Sequence, residues 1–278
     1  MRKDKILVSI IVTTKNEGEV IEKLLKSIKK QTYKNIEILV VDNQSSDATK
    51  EICKNYTNVV LDFGPERSSQ RNFGAKKAHG EYVLFLDADM ELTPNVVEEC
   101  VKTMDAGNKV GGATILEESV AKTYWEKVKA FERSFYNLTG DEMTDAARFF
   151  RKDLFFKLGG YDEKITGPED WDLTDRLRVQ GYGVGVVNAK ILHYERVKNL
   201  MTLFKKKYYY GLKSHRYLTK QKVSPLSAKT IIFLRPVFYK NWRRLLLHPR
   251  LTASMYLMLL GEVVAGGLGF VVGKLTNL

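Results

Sequence analysis

The first hundred residues alternate short apolar runs with helical patterns. Four runs rich in β-branched and aromatic residues are predicted as strands, at residues 8–14, 36–41, 59–61 and 82–86. Helical patterns separate them, the clearest at residues 20–28. Strands that alternate with helices form a parallel sheet through right-handed crossovers. The alternation therefore predicts an α/β fold in which a mostly parallel, Rossmann-like sheet is flanked by helices.

The remainder of the chain is less regular. Strand character recurs at residues 111–115, 182–187 and 191–192, and helical patterns at 124–136 and 169–180. A polar, linker-like stretch at residues 220–229 follows. We therefore divide the 278 residues into an α/β domain, residues 1–220, and a C-terminal basic and apolar helical region, residues 221–278.

Two carboxylates follow the fourth apolar run. Asp87, Ala88 and Asp89 come directly after residues 82–86, so a buried strand carries them to the carboxyl edge of the sheet, where α/β proteins bind ligands. Two nearby negative charges repel each other unless a cation lies between them. Such oxygen ligands suit Mg²⁺ or Mn²⁺ carrying the phosphates of a substrate. The motif therefore indicates chemistry on a nucleotide.

The positive charge of the chain is confined to its C-terminal part. The net charge is +12, yet residues 196–250 contain fifteen Lys or Arg and no Asp or Glu, and residues 1–195 carry a net charge of −3. A segment of this kind is typical of contact with nucleic acid, with an anionic membrane surface or with solvent alone.

An apolar stretch next to the basic segment favours the membrane among these partners. Residues 251–273 are apolar except for Glu262, and as a helix they are long enough to cross a hydrocarbon layer of ~30 Å. A buried helix of a soluble protein is the alternative. We predict a membrane helix, spanning or in-plane, beside the anionic lipid of the cytoplasmic face. We predict no binding of nucleic acid.

Small residues recur at every fourth position of this stretch, as in membrane helices that pack closely together. They are Gly261, Ala265, Gly269 and Gly273. A homo-oligomer could form through this small-residue stripe.

Each polar motif has a structural explanation when it is taken alone. Asp42 could cap a helix, and Arg71 could form a surface ion pair with Glu66 or Glu81. Five motifs nevertheless occur in order along the chain. They are residues 13–17, 41–47, 71–74 with 80–89, 159–163 and 169–173. This combination resembles the family-two glycosyltransferases, which have a GT-A fold, and the resemblance covers about residues 6–195.

The resemblance implies a nucleotide-sugar site at the carboxyl edge of the sheet. Thr13, Glu17 and Asp42 match positions that hold the base and the ribose, where a carboxylate can accept hydrogen bonds from hydroxyl groups. Arg71 matches a basic residue near the base or the diphosphate. These four residues are therefore expected to contact the donor.

The resemblance also implies a divalent cation. Asp87, Ala88 and Asp89 match the motif that holds the donor and its metal ion, with Asp89 as a metal ligand. His193 follows a predicted strand where related enzymes place a residue that binds the metal or the diphosphate, although a lone histidine is often structural. Mn²⁺ or Mg²⁺ would neutralise the nucleoside diphosphate as it leaves.

The remaining motif opens a predicted helix after Gly167 and Pro168. Glu169 and Asp170 could simply cap this helix, but capping explains only one of them. The resemblance assigns Asp170 as the base that deprotonates an acceptor hydroxyl, with inversion at the anomeric carbon. Glu169 and Trp171 would contact the sugar or the acceptor, and core packing is the alternative for Trp171.

Other classes of protein fit these motifs less well. A dinucleotide-binding enzyme needs a glycine-rich turn after the first strand, where this chain has Thr14, Lys15, Asn16, Glu17 and Gly18. A non-catalytic, membrane-bound scaffold for nucleotides or nucleic acid is the alternative that remains. We predict an inverting, metal-dependent glycosyltransferase that uses a UDP- or GDP-sugar and a lipid-linked or saccharide acceptor.

Overall fold

A computed structural model describes residues 6–107, 109–138, 140–141 and 145–276. Its strands are β1 (Val8–Thr14), β2 (Ile36–Asp42), β3 (Val60–Asp62), β4 (Tyr82–Asp87), β5 (Met90–Leu92), β6 (Val110–Val120), β7 (Phe149–Arg151) and β8 (Gly183–Tyr194). Its helices are α1 (Ile21–Lys29), α2 (Thr49–Lys54), α3 (Arg67–Lys77), α4 (Val96–Asp105), α5 (Tyr124–Arg133), α6 (Lys152–Lys157), α7 (Glu169–Val179), α8 (Leu200–Lys220), α9 (Pro236–Lys240), α10 (Trp242–Leu247) and α11 (Pro249–Thr276).

One sheet contains the eight strands in the order β3-β2-β1-β4-β7-β6-β8-β5. The first four strands of this order are parallel, as the alternation of strands and helices predicted. The pairs β4–β7, β6–β7 and β5–β8 are antiparallel. The prediction of an α/β fold with a mostly parallel sheet and flanking helices is confirmed, with an antiparallel part added beyond β4.

Several elements are longer than their local patterns predicted. Strand β6 continues five residues beyond 115, and β8 joins two predicted runs into one strand. Helix α3 begins at Arg67, whereas the helical pattern between the third and fourth apolar runs predicts a helix only over residues 72–78. Polar residues fill these extensions, so an apolar pattern alone does not reveal them. Two of the extensions carry side chains of the site described below.

Both faces of the parallel strands are buried. Along β1, Val8, Ile10 and Val12 pack into one apolar cluster, and Ile11 packs into a second cluster on the opposite face. Alternate residues of a strand point to opposite faces, so a strand covered on both sides reads as a continuous apolar run. Each such side chain contributes about 1.5–3 kcal/mol to folding. This core holds the strand ends that carry the polar motifs.

The chain divides into two compact units. The first contains residues 1–117, 146–163 and 170–193, and the second contains residues 118–145, 164–169 and 194–278. The domain boundary predicted at residue 220 falls inside the second unit, directly after α8.

The second unit is helical and has an apolar cluster of its own. Residues of α5, α9 and α11 form this cluster, among them Val128, Phe131, Phe238 and Met255. By length and composition, α11 is apolar enough to cross a membrane. Its small-residue stripe, however, packs against α8 of the same chain, where a Cβ at Gly269 would collide with the carbonyl oxygen of Tyr208. This contact corrects the prediction of a homo-oligomer through the stripe, because the stripe is already covered.

Candidate active site

The parallel strands bring the predicted motifs to one edge of the sheet. Thr13 of β1 is level with Asp87 of β4, and Thr14 is level with Asp42 of β2. The carboxyl ends of neighbouring parallel strands meet at the same edge, so residues far apart in sequence become neighbours there. The predicted motifs therefore lie together at the carboxyl edge of the sheet, as their positions after the strands predicted.

Asp42 stabilises its own turn. The carboxylate is fully buried and accepts hydrogen bonds from Thr14 Oγ1 at 2.7 Å, from the Ser45 backbone N–H at 2.6 Å and from Ser45 Oγ at 2.5 Å. These contacts give Asp42 a structural role in its turn, but it does not cap a helix, because α2 begins at Thr49 and Ala48 is its N-cap. A contact between Asp42 and a ribose stays a prediction, and so does one for Thr13, which is also buried.

The loops that follow β1 and β2 are joined by hydrogen bonds. Asn16, with a φ of 53°, donates its backbone N–H to Ser45 Oγ at 2.7 Å and accepts from the Ser46 N–H at 2.9 Å. The backbone N–H of Glu17 donates to Thr49 Oγ1 at 2.8 Å, and the Glu17 side chain is half-buried. These hydrogen bonds join the two loops into one rim of the site. A base contact by Glu17 stays a prediction.

Arg71 links the paired-aspartate motif to the predicted base. Its guanidinium is fully buried and donates to Asp170 Oδ1 at 2.7 Å and to Asp87 Oδ1 at 2.8 Å. The cation also lies 5.1 Å from the centre of the Tyr161 ring. The alternative of a surface ion pair is wrong, because the side chain has no exposed surface. Its contact with the donor diphosphate stays a prediction.

Arg71 is positioned by the glycine motif that the sequence singled out. Its neighbour Asn72 donates to the carbonyl of Tyr161 and to Glu163 Oε1, both at 2.9 Å, and accepts from the Tyr161 N–H at 2.9 Å. Gly160 has a φ of 66°, and a Cβ there would lie 2.7 Å from Asn72 Oδ1. Glycine is the residue that most easily adopts this φ and allows Asn72 to lie so close to the backbone. The motif at residues 159–163 therefore has a structural explanation.

Arginines hold the Asp87 carboxylate in its charged form. Burial by itself would raise the pKa of Asp87, but Arg71, Arg67 and Arg148 outweigh this effect and hold the pKa well below its usual value. Arg148 Nη1 lies 3.4 Å from Asp87 Oδ2 and Arg67 Nη1 lies 3.8 Å from Asp87 Oδ1. Asp87 is therefore an anion over the whole physiological pH range.

Asp89 and His193 lie next to each other, as a shared cation would require. His193 Nε2 is 3.6 Å from Asp89 Oδ1, and His193 Nδ1 is 3.0 Å from Glu117 Oε2. Strand β5 pairs with β8 in the register that puts Met90 opposite His193, which brings the histidine to the paired aspartates. The structure thus joins two residues that the sequence proposed separately as metal ligands.

These donors fit a divalent cation that a substrate helps to bind. Among the residues that the structure describes, no group of three or more His, Cys, Asp or Glu side chains is arranged to hold a metal ion by itself. Mg²⁺ in nucleotide sites commonly takes one or two protein ligands and completes its shell with phosphate oxygens and water. A carboxylate at Asp89 and an imidazole at His193, with side chains 25% and 14% exposed, suit this arrangement.

Two residues of the site were missed or set aside at the sequence level. Glu117 accepts from Arg148 Nε at 3.0 Å as well as facing His193, so Arg148 bridges Glu117 and Asp87. Glu117 lies on the part of β6 that the apolar pattern did not predict, and the sequence alone leaves Arg148 open between contact with an acceptor phosphate and a solvated surface position. A strand pattern that included polar residues would have found Glu117.

The start of α7 places Asp170 at the site. Glu169 is 1% exposed, whereas Asp170 and Trp171 are half-buried. The Thr174 hydroxyl donates to the Asp170 backbone carbonyl at 2.8 Å, which holds the first turn of the helix. Contacts of Glu169 and Trp171 with a sugar or an acceptor stay predictions.

The fold is that of a nucleotide-sugar transferase with a GT-A-like sheet. Paired aspartates and a buried arginine lie at the carboxyl edge of its parallel strands. Residues 9–158, more than half of the chain, match the family described as Glycosyl transferase family 2. The chain belongs to this family, and it is a glycosyltransferase. The resemblance seen in the sequence is thereby confirmed.

Individual relatives agree with the family assignment. The chain is 28% identical over 238 residues to an uncharacterised glycosyltransferase of Methanocaldococcus jannaschii, covering 76% of this chain and 80% of the relative. It is 35% identical over 109 residues to the GalNAc(5)-diNAcBac-PP-undecaprenol beta-1,3-glucosyltransferase of Campylobacter jejuni, covering 36% and 35% of the two chains.

The fold is also similar to that of solved glycosyltransferases. The mannosyltransferase PcManGT of Pyrobaculum calidifontis, solved with GDP-Man and Mn²⁺, superposes with a TM-score of 0.60 at 18% identity. The match covers 98% of this chain and 77% of that protein. At this identity the similarity shows the GT-A-like fold alone.

Proposed function

We propose that this chain transfers a sugar from a UDP- or GDP-sugar to an acceptor, with inversion at the anomeric carbon and with help from Mn²⁺ or Mg²⁺. The observation that carries the proposal is the double contact of Arg71 with Asp87 and Asp170. It ties the predicted donor motif to the predicted base, close to the pair formed by Asp89 and His193. Inversion requires these two functions on opposite sides of one sugar.

Asp89 and His193 would hold the divalent cation, and Asp87 and Ala88 would contact the donor beside it. The cation would supply positive charge to the departing diphosphate. Metal in the complex of a mannosyltransferase with the same fold supports this assignment. Thr13, Glu17 and Asp42 would line the base and ribose pocket at the rim formed by the first two loops.

Asp170 would accept the proton of the attacking hydroxyl. The acceptor oxygen would then form a bond to the anomeric carbon while the bond from that carbon to the diphosphate breaks. Arg71 would keep the Asp170 carboxylate oriented, because the guanidinium fixes Oδ1 and leaves Oδ2 for the proton. Glu169 and Trp171 would contact the acceptor or the transferred sugar.

A lipid-linked acceptor at the cytoplasmic face of the membrane is the acceptor class we favour. A relative in Campylobacter jejuni carries the name of an undecaprenol-linked glucosyltransferase. This chain has a long apolar helix, α11, at its C-terminal end. Residues 196–250, which precede most of this helix, contain fifteen Lys or Arg and no Asp or Glu. Residues 1–220 would then be catalytic, and residues 221–278 would bring the protein to its acceptor.

A donor screen on the purified full chain tests the glycosyltransferase proposal. Thermal shift and hydrolysis are measured with UDP- and GDP-sugars, with and without Mn²⁺, for the unmodified protein and for Asp89→Ala. Stabilisation by one donor that requires metal and is lost in Asp89→Ala would support the proposal. Asp105→Ala, an exposed aspartate at the end of α4, is the matched control and should respond like the unmodified protein.

Failure of every nucleotide sugar to bind or to be hydrolysed would contradict the proposal. It would favour the non-catalytic, membrane-bound scaffold. Binding that is equal with and without Mn²⁺, and unchanged in Asp89→Ala, would contradict the metal site while leaving the donor class standing.

A further inference from the structure

One face of α11 is apolar and exposed along most of the helix. Its residues follow one another at spacings of three and four, so they form a single line along the helix. The exposed line consists of Leu257, Leu260, Val264, Leu268, Val271 and Leu275, each more than half exposed. We call these six residues the α11 apolar face. An apolar face of this length on a soluble surface normally marks an interaction site.

The opposite face of α11 is packed against the protein. Met255, Met258 and Leu259 are buried in the apolar cluster shared with α5, and Gly269 and Gly273 lie against the backbone of α8. A Cβ at Gly273 would collide with the carbonyl oxygen of Leu212. The helix is therefore held along its length by its own unit and is not surrounded by solvent or lipid on all sides.

The acidic residue of α11 belongs to this packed face. Glu262 is buried, with Oε1 at 3.0 Å from Lys129 Nζ and Oε2 at 3.1 Å from Lys207 Nζ. Burial by itself would raise the pKa of Glu262, but the two lysines outweigh it and lower the pKa. The glutamate therefore places no charge on the α11 apolar face, and it ties α11 to α5 and α8.

The neighbouring helix argues against a spanning orientation. Helix α8 lies along α11 and carries Lys205, Lys206 and Lys220 at exposed positions, together with the half-buried Lys213 and Arg216. A helix that crosses the bilayer beside α8 would draw these cations into hydrocarbon, where charged side chains are strongly disfavoured. Helix α11 can meet lipid on one side only.

The segment that leads into α11, residues 234–250, has the composition of a membrane interface. Exposed leucines and aromatic residues alternate there with exposed basic residues. They are Leu234, Tyr239, Lys240, Trp242, Arg243, Leu246, Leu247 and Arg250. Tryptophan and tyrosine favour the headgroup region, and Lys and Arg are attracted to anionic lipid.

We infer that the α11 apolar face lies in the plane of an anionic lipid surface, with residues 234–250 at the headgroups, and that α11 does not cross the membrane. In residues 196–278 the single acidic residue is Glu262, which is buried and paired. The segments that flank the face, α8 and residues 234–250, thus carry basic side chains and no acidic ones, so two copies would repel each other there whereas anionic headgroups would be attracted. Lipid is therefore the occupant that the charges favour.

Vesicle flotation of the full chain tests the partner. The protein is mixed with vesicles of phosphatidylcholine alone or with added phosphatidylglycerol, at low and high salt. We expect binding to the anionic vesicles that weakens with salt and falls at least tenfold in the double variant Val264→Asp/Leu268→Asp. Val179→Asp, which changes an exposed valine at the end of α7, should bind normally. Circular dichroism and thermal unfolding confirm that each variant is folded.

Flotation that is unaffected by the double variant would overturn the inference. A dimer in sedimentation experiments that the double variant dissociates, without any lipid binding, would identify a second copy as the occupant instead. Both readouts are independent of sugar transfer, so an inactive enzyme that still binds vesicles would contradict the proposed function and leave this inference intact.

Cysteine labelling tests the orientation. Arg250→Cys and Thr276→Cys lie near the two ends of α11, and the native Cys53 and Cys100 are buried. With protein bound to the outside of sealed vesicles, a membrane-impermeant maleimide should label both new cysteines. Labelling at one end that appears only after the vesicles are opened with detergent would show that α11 spans, and would overturn the in-plane orientation.

Discussion

Arg71 donates to Asp170 at 2.7 Å, although 99 positions separate these residues in the chain. The other side of the same guanidinium donates to Asp87 at 2.8 Å. One buried cation therefore connects a helix that follows β3, the end of β4 and the beginning of α7. Because no part of the guanidinium is exposed, its charge is balanced by these carboxylates rather than by water. The connection makes Arg71 a positioning residue for two proposed functions.

Replacing Arg71 by methionine should lower the free energy of unfolding. The same replacement should also weaken donor binding at acidic pH. Removal of a buried ion-pair partner costs about 3 kcal/mol of unfolding free energy, because two carboxylates lose their shared cation. The pKa of Asp87, now held low, should rise toward its usual value. Donor affinity of Arg71→Met should therefore fall as the pH is lowered from 7 to 4, whereas the unmodified protein should keep its affinity over more of this range.

Chemical denaturation and donor titrations at several pH values measure these two effects. Arg67→Met is the graded comparison: it should shift the pH profile in the same direction but less, because Arg67 lies farther from Asp87, at 3.8 Å, and is partly exposed. Equal pH profiles for Arg71→Met and the unmodified protein would show that Arg71 does not control the charge of Asp87.

The loss of activity in Asp170→Asn should show whether the acceptor group is a hydroxyl or a phosphate. If the acceptor is a hydroxyl, loss of the base should lower kcat by about 10²–10⁴-fold while the donor Kd stays within a few-fold. An acceptor phosphate is already ionised and needs no strong base, so the same variant would then lose little activity. Single-turnover transfer to each acceptor class measures the difference, and Asp175→Asn on the same helix should retain activity with both.

Glu117→Gln should weaken metal binding through His193. Glu117 Oε2 lies 3.0 Å from His193 Nδ1, and a hydrogen bond from Nδ1 to this carboxylate would leave Nε2, on the side of Asp89, available to a cation. Loss of such a carboxylate partner typically costs 10–100-fold in metal affinity. Titration of Mn²⁺ by electron paramagnetic resonance, in the presence of the nucleoside diphosphate, measures the affinity without turnover.

Glu118→Gln is the matched control, because Glu118 is the next residue of β6 and is exposed. It should bind Mn²⁺ like the unmodified protein. A normal Mn²⁺ affinity in Glu117→Gln would show that the contact between Glu117 and His193 is structural.

Two glycines of α11 should respond in opposite ways to the same substitution. A Cβ at Gly269 would collide with the α8 backbone, so Gly269→Ala should lower the unfolding free energy by about 1–3 kcal/mol. A Cβ at Gly267 meets nothing within 4 Å, so Gly267→Ala should raise it by roughly 0.5–1 kcal/mol, because alanine favours the helix. Chemical denaturation measures both variants. Equal effects would mean that α8 and α11 are not tightly packed.

The sequence by itself determined the elements and the edge of the sheet at which the site forms. Apolar runs at residues 8–14 and 82–86 are local signals, and both strands appear with Asp87 at the end of β4. The period of apolar residues depends only on neighbours in the chain, so it can be read without a structure. The family motifs, which include Asp89 and Asp170, were also visible at this level.

Only the tertiary structure decided how these residues are paired. The burial of Arg71 between Asp87 and Asp170, the contact of Glu117 with His193, and the covering of the glycine stripe by α8 all join segments distant in sequence. A charged or small residue looks the same in sequence whether it faces solvent, a ligand or a distant helix. Its partner is selected by the packing of the whole fold, because a buried charge must be balanced by the groups that the fold places beside it.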